Sequence, residues 1–173
     1  MKKLFLTVFA MGILAYSSMA QFHAELGLNF NSPQGDFADA YDLGVGFYIE
    51  PKYALNENID LGLLISSNAF AGGDLTGSTA SVSALGMWAI LPTFTYRFST
   101  NKVTPYGGLG LGLYSVEGVE VSGFPKGESE SKIGFAPRAG VYLGRLNLGV
   151  AYNIVSDFNF LQFNLGVRIL SRE

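Results

Sequence analysis

"TPYGGLGLGLYSVE", residues 104–117, sets glycine at 107, 108, 110 and 112 and leucine at 109, 111 and 113. A period of two is the signature of a β-strand. Glycine weakens a strand, so its regular use implies that something packs closely on that face. The stretch therefore describes a strand with bare backbone against a crowded space and leucines against an apolar medium.

The same alternation recurs along the chain, and eight strands follow from it. The first, about 22–31, carries Phe22, Ala24, Leu26, Leu28 and Phe30 opposite His23, Glu25, Gly27 and Asn29. The second, about 43–54, sets Leu43, Val45, Phe47 and Ile49 against Gly44, Gly46, Tyr48 and Glu50. The third, about 58–67, sets Ile59, Leu61, Leu63 and Ile65 against Asp60, Gly62 and Ser66, with Leu64 breaking the polar face. The fourth, about 83–98, ends with Phe94, Tyr96 and Phe98 alternating with Thr93, Thr95 and Arg97; the fifth, about 103–116, holds the opening stretch. The sixth, about 132–143, has Ile133, Phe135, Ala139, Val141 and Leu143 opposite Gly134, Arg138, Gly140 and Tyr142. The seventh and eighth, about 145–154 and 160–170, set Leu, Val, Ile, Tyr and Phe against Asn147, Gly149, Asn153, Gln162, Asn164, Gly166 and Arg168.

The connections alternate too. "LNEN", "STNK" and "GR" are tight; "SPQGDFADAY", "NAFAGGDLTGSTA" and "EGVEVSGFPKGESES" are long, and "SDFN" is shorter. Short turns at one end and longer loops at the other mark an outer-membrane barrel. An even strand number puts both termini on the periplasmic side.

Composition narrows the environment. The 173 residues are 49% hydrophobic but only 14% charged, with 22 glycines and no cysteine. An average globular domain carries about 25% charged residues, so a soluble surface is hard to build from this chain. The start, "MKKLFLTVFAMGILAYSSMAQ", reads as a signal peptide over residues 1–20. Lys2 and Lys3 precede a short apolar run, and Ser18 and Ala20 occupy the small-residue positions before Gln21. The run is too short for a membrane anchor, and a lipid anchor would need a cysteine. The mature domain is then residues 21–173, with 9 basic residues against 14 acidic ones. That balance argues against nucleic acid as a partner. No later apolar run suits a membrane helix, which leaves a closed β-barrel as the way to span a bilayer.

Alternation alone does not orient the faces. A soluble lipocalin-like carrier would turn its apolar face inward and coat itself with charge. Here the opposite face is Gly, Asn, Gln, Thr and Ser with almost no Lys, which suits the narrow lumen of an eight-stranded barrel. Gly108, Gly110 and Gly112 then face the lumen and Leu109, Leu111 and Leu113 face lipid; a glycine-rich edge strand of a soluble sandwich is the alternative. Glu25, Glu50 and Asp60 balance Lys52, Arg97, Arg138 and Arg168 inside. Buried charges must pair, so these seven form an ion-pair network that plugs the lumen, structural or gating in role. Phe22, Tyr53, Tyr96 and Phe98 form one aromatic girdle and Phe30, Trp88, Phe135 and Tyr152 the other. Pro51, Pro92, Pro105 and Pro137 fall inside strands, and bulges or register irregularities are expected beside Pro92 and Pro137.

"SMA" at the end of the leader, "LPTFTYRF", "TPYGGLGLGLYS" and "LQFNLGVRIL" together resemble the small eight-stranded outer-membrane barrels, the OmpX/OmpW-like or outer membrane protein beta-barrel domain group. The resemblance covers the mature chain. It implies an all-β, antiparallel up-and-down transmembrane barrel in the outer membrane of a Gram-negative-type bacterium. It implies outer-membrane lipid, lipopolysaccharide and the barrel-insertion machinery as partners, with a possible surface partner at the loops. Such barrels often end on an aromatic residue read by that machinery; this chain ends "RILSRE", which implies a weak or displaced signal. The peptidoglycan-binding domain of OmpA-like relatives has no counterpart in these residues.

Little in the chain suggests catalysis. Some relatives remodel lipid with His and Ser near the outer rim, whereas the single His23 falls at the periplasmic end. No catalytic, cofactor-binding or metal-ligating residue is assigned, and no cofactor is expected. "GGDLTGST" lacks the lysine of a phosphate loop. Asp74, Glu117, Glu120, Glu128 and Glu130 make the outer loops acidic, as solvated loops or a weak divalent-cation contact. The function expected is a structural or interaction barrel with exposed loops; the alternative is a narrow porin-like channel for small or apolar solutes.

Overall fold

The computed structural model describes residues 22–72, 84–99, 101–118 and 130–169. The leader, Asp74, Glu120, Glu128 and the last four residues lie outside them. Eight strands occur in order: β1 (Phe22–Pro33), β2 (Tyr41–Ala54), β3 (Ile59–Gly72), β4 (Leu85–Arg97), β5 (Val103–Gly118), β6 (Glu130–Leu143), β7 (Leu146–Val155) and β8 (Phe160–Ile169). One short helix, α1 (Asp36–Ala40), interrupts the first long connection. Each strand pairs antiparallel with the next, and β8 returns to β1 from Ala24↔Ile169 to Pro33↔Phe160, closing the barrel. Closure leaves no strand edge, as a bilayer requires.

The alternation read from sequence is the inside–outside alternation of this wall. Leu109, Leu111 and Leu113 are 44%, 55% and 53% exposed, while Tyr106, Gly110 and Tyr114 are buried. The outer surface is Leu, Ile, Val and aromatic from β1 to β8. No described helix is long and apolar enough to cross a membrane; the strands do that. β6 and β7 join through Gly144–Arg145, with Gly144 at φ 62°, where a type II′ hairpin turn needs a glycine.

Three expectations about the strands are corrected. The third strand extends to Gly72, so Asn68–Gly72 continues the wall instead of beginning a loop. The loop reading of "SPQGDFADAY" misses both the end of β1 and α1. The bulges or register shifts expected beside Pro92 and Pro137 do not occur. Leu63↔Pro92 and Leu109↔Pro137 sit in unbroken registers. On the other side of each proline the pairing lapses, from Ile90↔Leu113 to Thr93↔Gly110 and from Phe135↔Ile154 to Arg138↔Ala151, yet resumes in the same register. A missing N–H costs a ladder bond, but the flanking pairs hold the strands aligned. The register shift that does occur lies between Tyr41 and Gly44, at the loop-end rim of β2.

Several glycines sit where a Cβ would collide with a neighbouring strand or an inward ring. A Cβ on Gly112 would overlap the Ile90 carbonyl oxygen and lie 2.9 Å from Leu91 Cα, and one on Gly108 would overlap the Phe94 carbonyl oxygen. There the crowding comes from the backbone of β4. At five other glycines an inward tyrosine crowds the space, at Gly27 and Gly140 together with a backbone carbonyl oxygen. The Tyr48 ring lies over Gly27 and its hydroxyl over Gly166; Tyr106 reaches Gly140 and Gly149; Tyr114 covers Gly134. Large rings fit a narrow lumen because the strands beneath them carry no side chain. Gly110 differs, since a Cβ there would make ordinary contacts at 3.5 Å with Leu91 and Thr93 side chains. Gly110→Ala should therefore change stability by no more than about 0.5 kcal/mol, whereas Gly112→Ala should cost about 1–3 kcal/mol by forcing β4 and β5 apart. Urea unfolding in lipid vesicles measures both.

Candidate functional site

The lumen is the one place where the described residues concentrate polar chemistry, and its middle is held by four charges. Glu25 and Glu50 stand directly opposite one another on β1 and β2. Like charges in that position repel. Lys52, two residues on along the same inward face, places its Nζ 2.9 Å from Glu25 Oε2 and 3.0 Å from Glu50 Oε2. Arg138, from β6 across the lumen, donates through Nη1 and Nη2 to the two oxygens of Glu50, both at 2.8 Å. This two-pronged geometry is the strong form of the carboxylate–guanidinium pair. Thr93 also donates to Glu50 at 2.7 Å. Tyr48 and Asn147 donate to Glu25, and Lys52 donates to the Tyr142 hydroxyl at 2.9 Å. Glu25, Glu50 and Lys52 are at most 1% exposed. Such ions are tolerated away from water because each is both paired and hydrogen-bonded.

The other three predicted residues sit apart from this quartet. Asp60 pairs with Arg97 at 3.1 Å nearer the short-turn end, with His23 Nε2 at 4.0 Å. Arg168 makes no salt bridge among the described residues. Its guanidinium lies 4.4 Å from the Tyr142 ring centroid, Tyr142 stacks on Tyr106 at 4.7 Å, and Arg138 lies 5.9 Å from Tyr106 on the quartet's side. Lys52 lies 5.4 Å from the Tyr142 ring as well, so the stacked pair of rings is met by three cations, contacts favoured by the negative faces of the rings. The seven predicted residues form a quartet, a pair and a stacked arginine rather than one network.

Beyond the quartet toward the loops, the lining turns to carboxamides. Asn68 accepts from Asn29 at 3.1 Å and Asn31 at 2.9 Å, and Gln162 donates to Asn164 at 2.7 Å. A cavity of about 20 Å³ lies between Leu64, Leu91, Thr93, Arg138 and Asn164, space for about one water. The loop end is apolar: Phe37, Phe70, Leu85, Met87, Val116 and Phe160 are buried together. The sequence reading, which notes Leu64 as the break in the polar inward face, does not anticipate this third layer. The alternation marks Thr93, Asn147, Asn29, Gln162 and Asn164 as inward, whereas Asn68 falls in a stretch read as loop, and only the register reveals whom they meet.

The eight girdle aromatics all point outward and are 38–66% exposed. Phe22 faces Tyr53 across β1 and β2, and Tyr96 packs edge-on against Phe98 at 5.3 Å, all four at the short-turn end. Phe30, Trp88, Phe135 and Tyr152 lie in the loop-end half of their strands. No group of three or more His, Cys, Asp or Glu among the described residues could hold a metal ion.

Hydrogen bonding to a charged group distinguishes two otherwise similar tyrosines. Tyr48→Phe removes a donor to buried Glu25 and should cost about 1.5–3 kcal/mol. Tyr106→Phe keeps the stacking on Tyr142 and should be nearly neutral. Unfolding midpoints of the two variants in vesicles check the contrast.

A comparison with curated proteins finds no match. Solved structures do match in fold. Neisserial surface protein A aligns with a TM-score of 0.61 at 17% identity, over 86% of this chain and 96% of its own. OprG from Pseudomonas aeruginosa gives 0.61 at 14% identity, over 86% and 95%. Ail of Yersinia pestis, in complex with the heparin analogue sucrose octasulfate, gives 0.54 at 19% identity, over 86% and 97%. The family model described as "Outer membrane protein beta-barrel domain" matches residues 4–169, and with its closed eight-stranded wall the chain belongs to that family as an integral protein of the bacterial outer membrane.

Proposed function

We propose that this barrel is a closed structural body that presents its loop end as an interaction surface, and that it is neither a conduit nor an enzyme. The observation that carries this reading is Lys52 bridging Glu25 and Glu50 while Arg138 grips Glu50 from the opposite wall. A solute crossing the lumen would have to break at least one fully buried ion pair, and doing so leaves an unpaired charge that costs about 3–5 kcal/mol. The apolar layer at the loop end adds a second obstruction. With the leader removed, the barrel reaches the membrane through the insertion machinery, and its aromatic girdles settle at the headgroup levels of outer-membrane lipid and lipopolysaccharide.

The rim suggests the character of a surface partner. Asp36, Asp39, Asp42 and Glu117 lie at the loop end, with Glu130 and Asp157 around Lys132. This acidic rim favours a partner with basic groups over a sulfated polyanion such as the one held by Ail. Purified barrel in a planar bilayer should be nearly silent over physiological voltages. Sustained, reproducible unitary steps would contradict the closed-body reading in favour of a narrow channel.

A further inference from the structure

The outer wall is not evenly thick. On β6 and β7 the outward pair Ala139↔Val150 is short, and beside it Gly140 pairs with Gly149. Larger side chains stand around this place: Leu148 on β7, Phe163 and Leu165 on β8, and Phe30 on β1, all 43–51% exposed. Together they border an open groove of about 470 Å³ on the lipid-facing side. It begins at the loop-end girdle, where Phe30 pairs with Phe163, and runs toward the short-turn end as far as the Leu148↔Leu165 pair.

The groove is rigid and offers an occupant no hydrogen bond. Its strands lie in the closed ladder, each paired on both sides, so no row of free N–H and C=O groups awaits an added strand. On the lumen side the Tyr106 hydroxyl lies where a Cβ of Gly140 or Gly149 would stand, so the floor is backed and cannot give inward. Asn164, the polar residue of the lining, turns its carboxamide inward and accepts from Gln162 at 2.7 Å. What remains for an occupant is apolar contact. Within a bilayer, apolar surfaces gain nothing by leaving lipid, and van der Waals packing decides what sits against them. An unfilled groove forfeits those contacts along its whole lining. A second barrel would need a ridge matched to this shape on a wall as rigid as this one, whereas an acyl chain bends to the shape it meets.

We infer that this groove seats one acyl chain of a bilayer lipid, held in preference to the chains that cover the rest of the wall. The chain enters from the headgroup level at Phe30 and lies over Ala139 and Val150, so that one lipid molecule travels with the barrel as a ligand rather than as solvent.

The test uses the full barrel in dimyristoylphosphatidylcholine nanodiscs, deuterated except at Ala, Val and Leu methyls. Magnetisation transfer from the lipid-chain methylenes reaches every outward methyl. A short alanine methyl lies close to the backbone, so freely exchanging lipid should reach it less than it reaches the leucines of β5. A seated chain should reverse that order and make the transfer at Ala139 and Val150 at least three-fold stronger than at Leu111 and Leu113. When the barrel is released from the discs and weighed intact, wild type should retain one phospholipid. Ala139→Phe, which fills the groove from outside without entering the lumen, should retain it at least five-fold less often, and Leu111→Phe on the other wall should match wild type. Transfer at Ala139 and Val150 no stronger than at Leu111 and Leu113 would overturn the inference whether or not the phenylalanine variant folds well. Lipid retention unchanged in a folded Ala139→Phe barrel would overturn it too, as would transfer to Ala139 from a second, protonated barrel in larger discs, which would put another copy in the groove.

Discussion

Two carboxylates, Glu25 and Glu50, are forced side by side by the register of β1 and β2. That juxtaposition would oppose closure if nothing stood between them. Lys52 supplies the opposing charge from the same strand as Glu50, and Arg138 reaches in from β6. Because the partners come from neighbouring and opposite walls, the quartet is complete only when the sheet has curled into a cylinder. The ion pairs therefore favour the closed state specifically, as well as filling its centre. In a lumen this narrow the charges have no aqueous alternative, which makes their mutual satisfaction a condition of the fold.

The rest of the interior adapts to that centre. Tyrosines hydrogen-bond or stack on the charged groups and lie across glycines of the adjoining strands, so polar satisfaction and packing are met by the same side chains. Tyr48 illustrates this: its hydroxyl donates to Glu25 while its ring covers Gly27. Toward the loops the demand for charge pairing fades, first into carboxamides and then into Phe70, Phe160 and Met87. Outside, the leucines opposite these glycines and tyrosines meet lipid, where the hydrophobic effect holds the barrel in the membrane rather than assembling its core.

Much of this is legible in the sequence because the strand period is two and both faces are chemically distinct. "GGLGLGL" identifies its inward and outward residues, and the eight strands lie within a few residues of where alternation sets them. Parity alone likewise names the inward charges. It does not group them: whether Arg168 meets a carboxylate or a ring depends on cross-lumen distances that only the register fixes. The prolines mislead because a lost ladder bond suggests a displaced residue, whereas Pro92 and Pro137 turn outward and their neighbours keep the alignment. The apolar cap is hidden because Phe37 and Phe70 fall in segments whose glycines and acids read as loop.

The most direct test of the charge-locked barrel is a double-mutant cycle on Glu50→Gln and Arg138→Gln, read by reversible unfolding into urea from lipid vesicles. If the quartet holds the closed cylinder together, each single change is strongly destabilising and the double variant loses much less than their sum, with a coupling of about 2 kcal/mol or more. Strict additivity within about 0.5 kcal/mol would mean that the two groups do not depend on each other, and would contradict the claim that their pairing locks the cylinder.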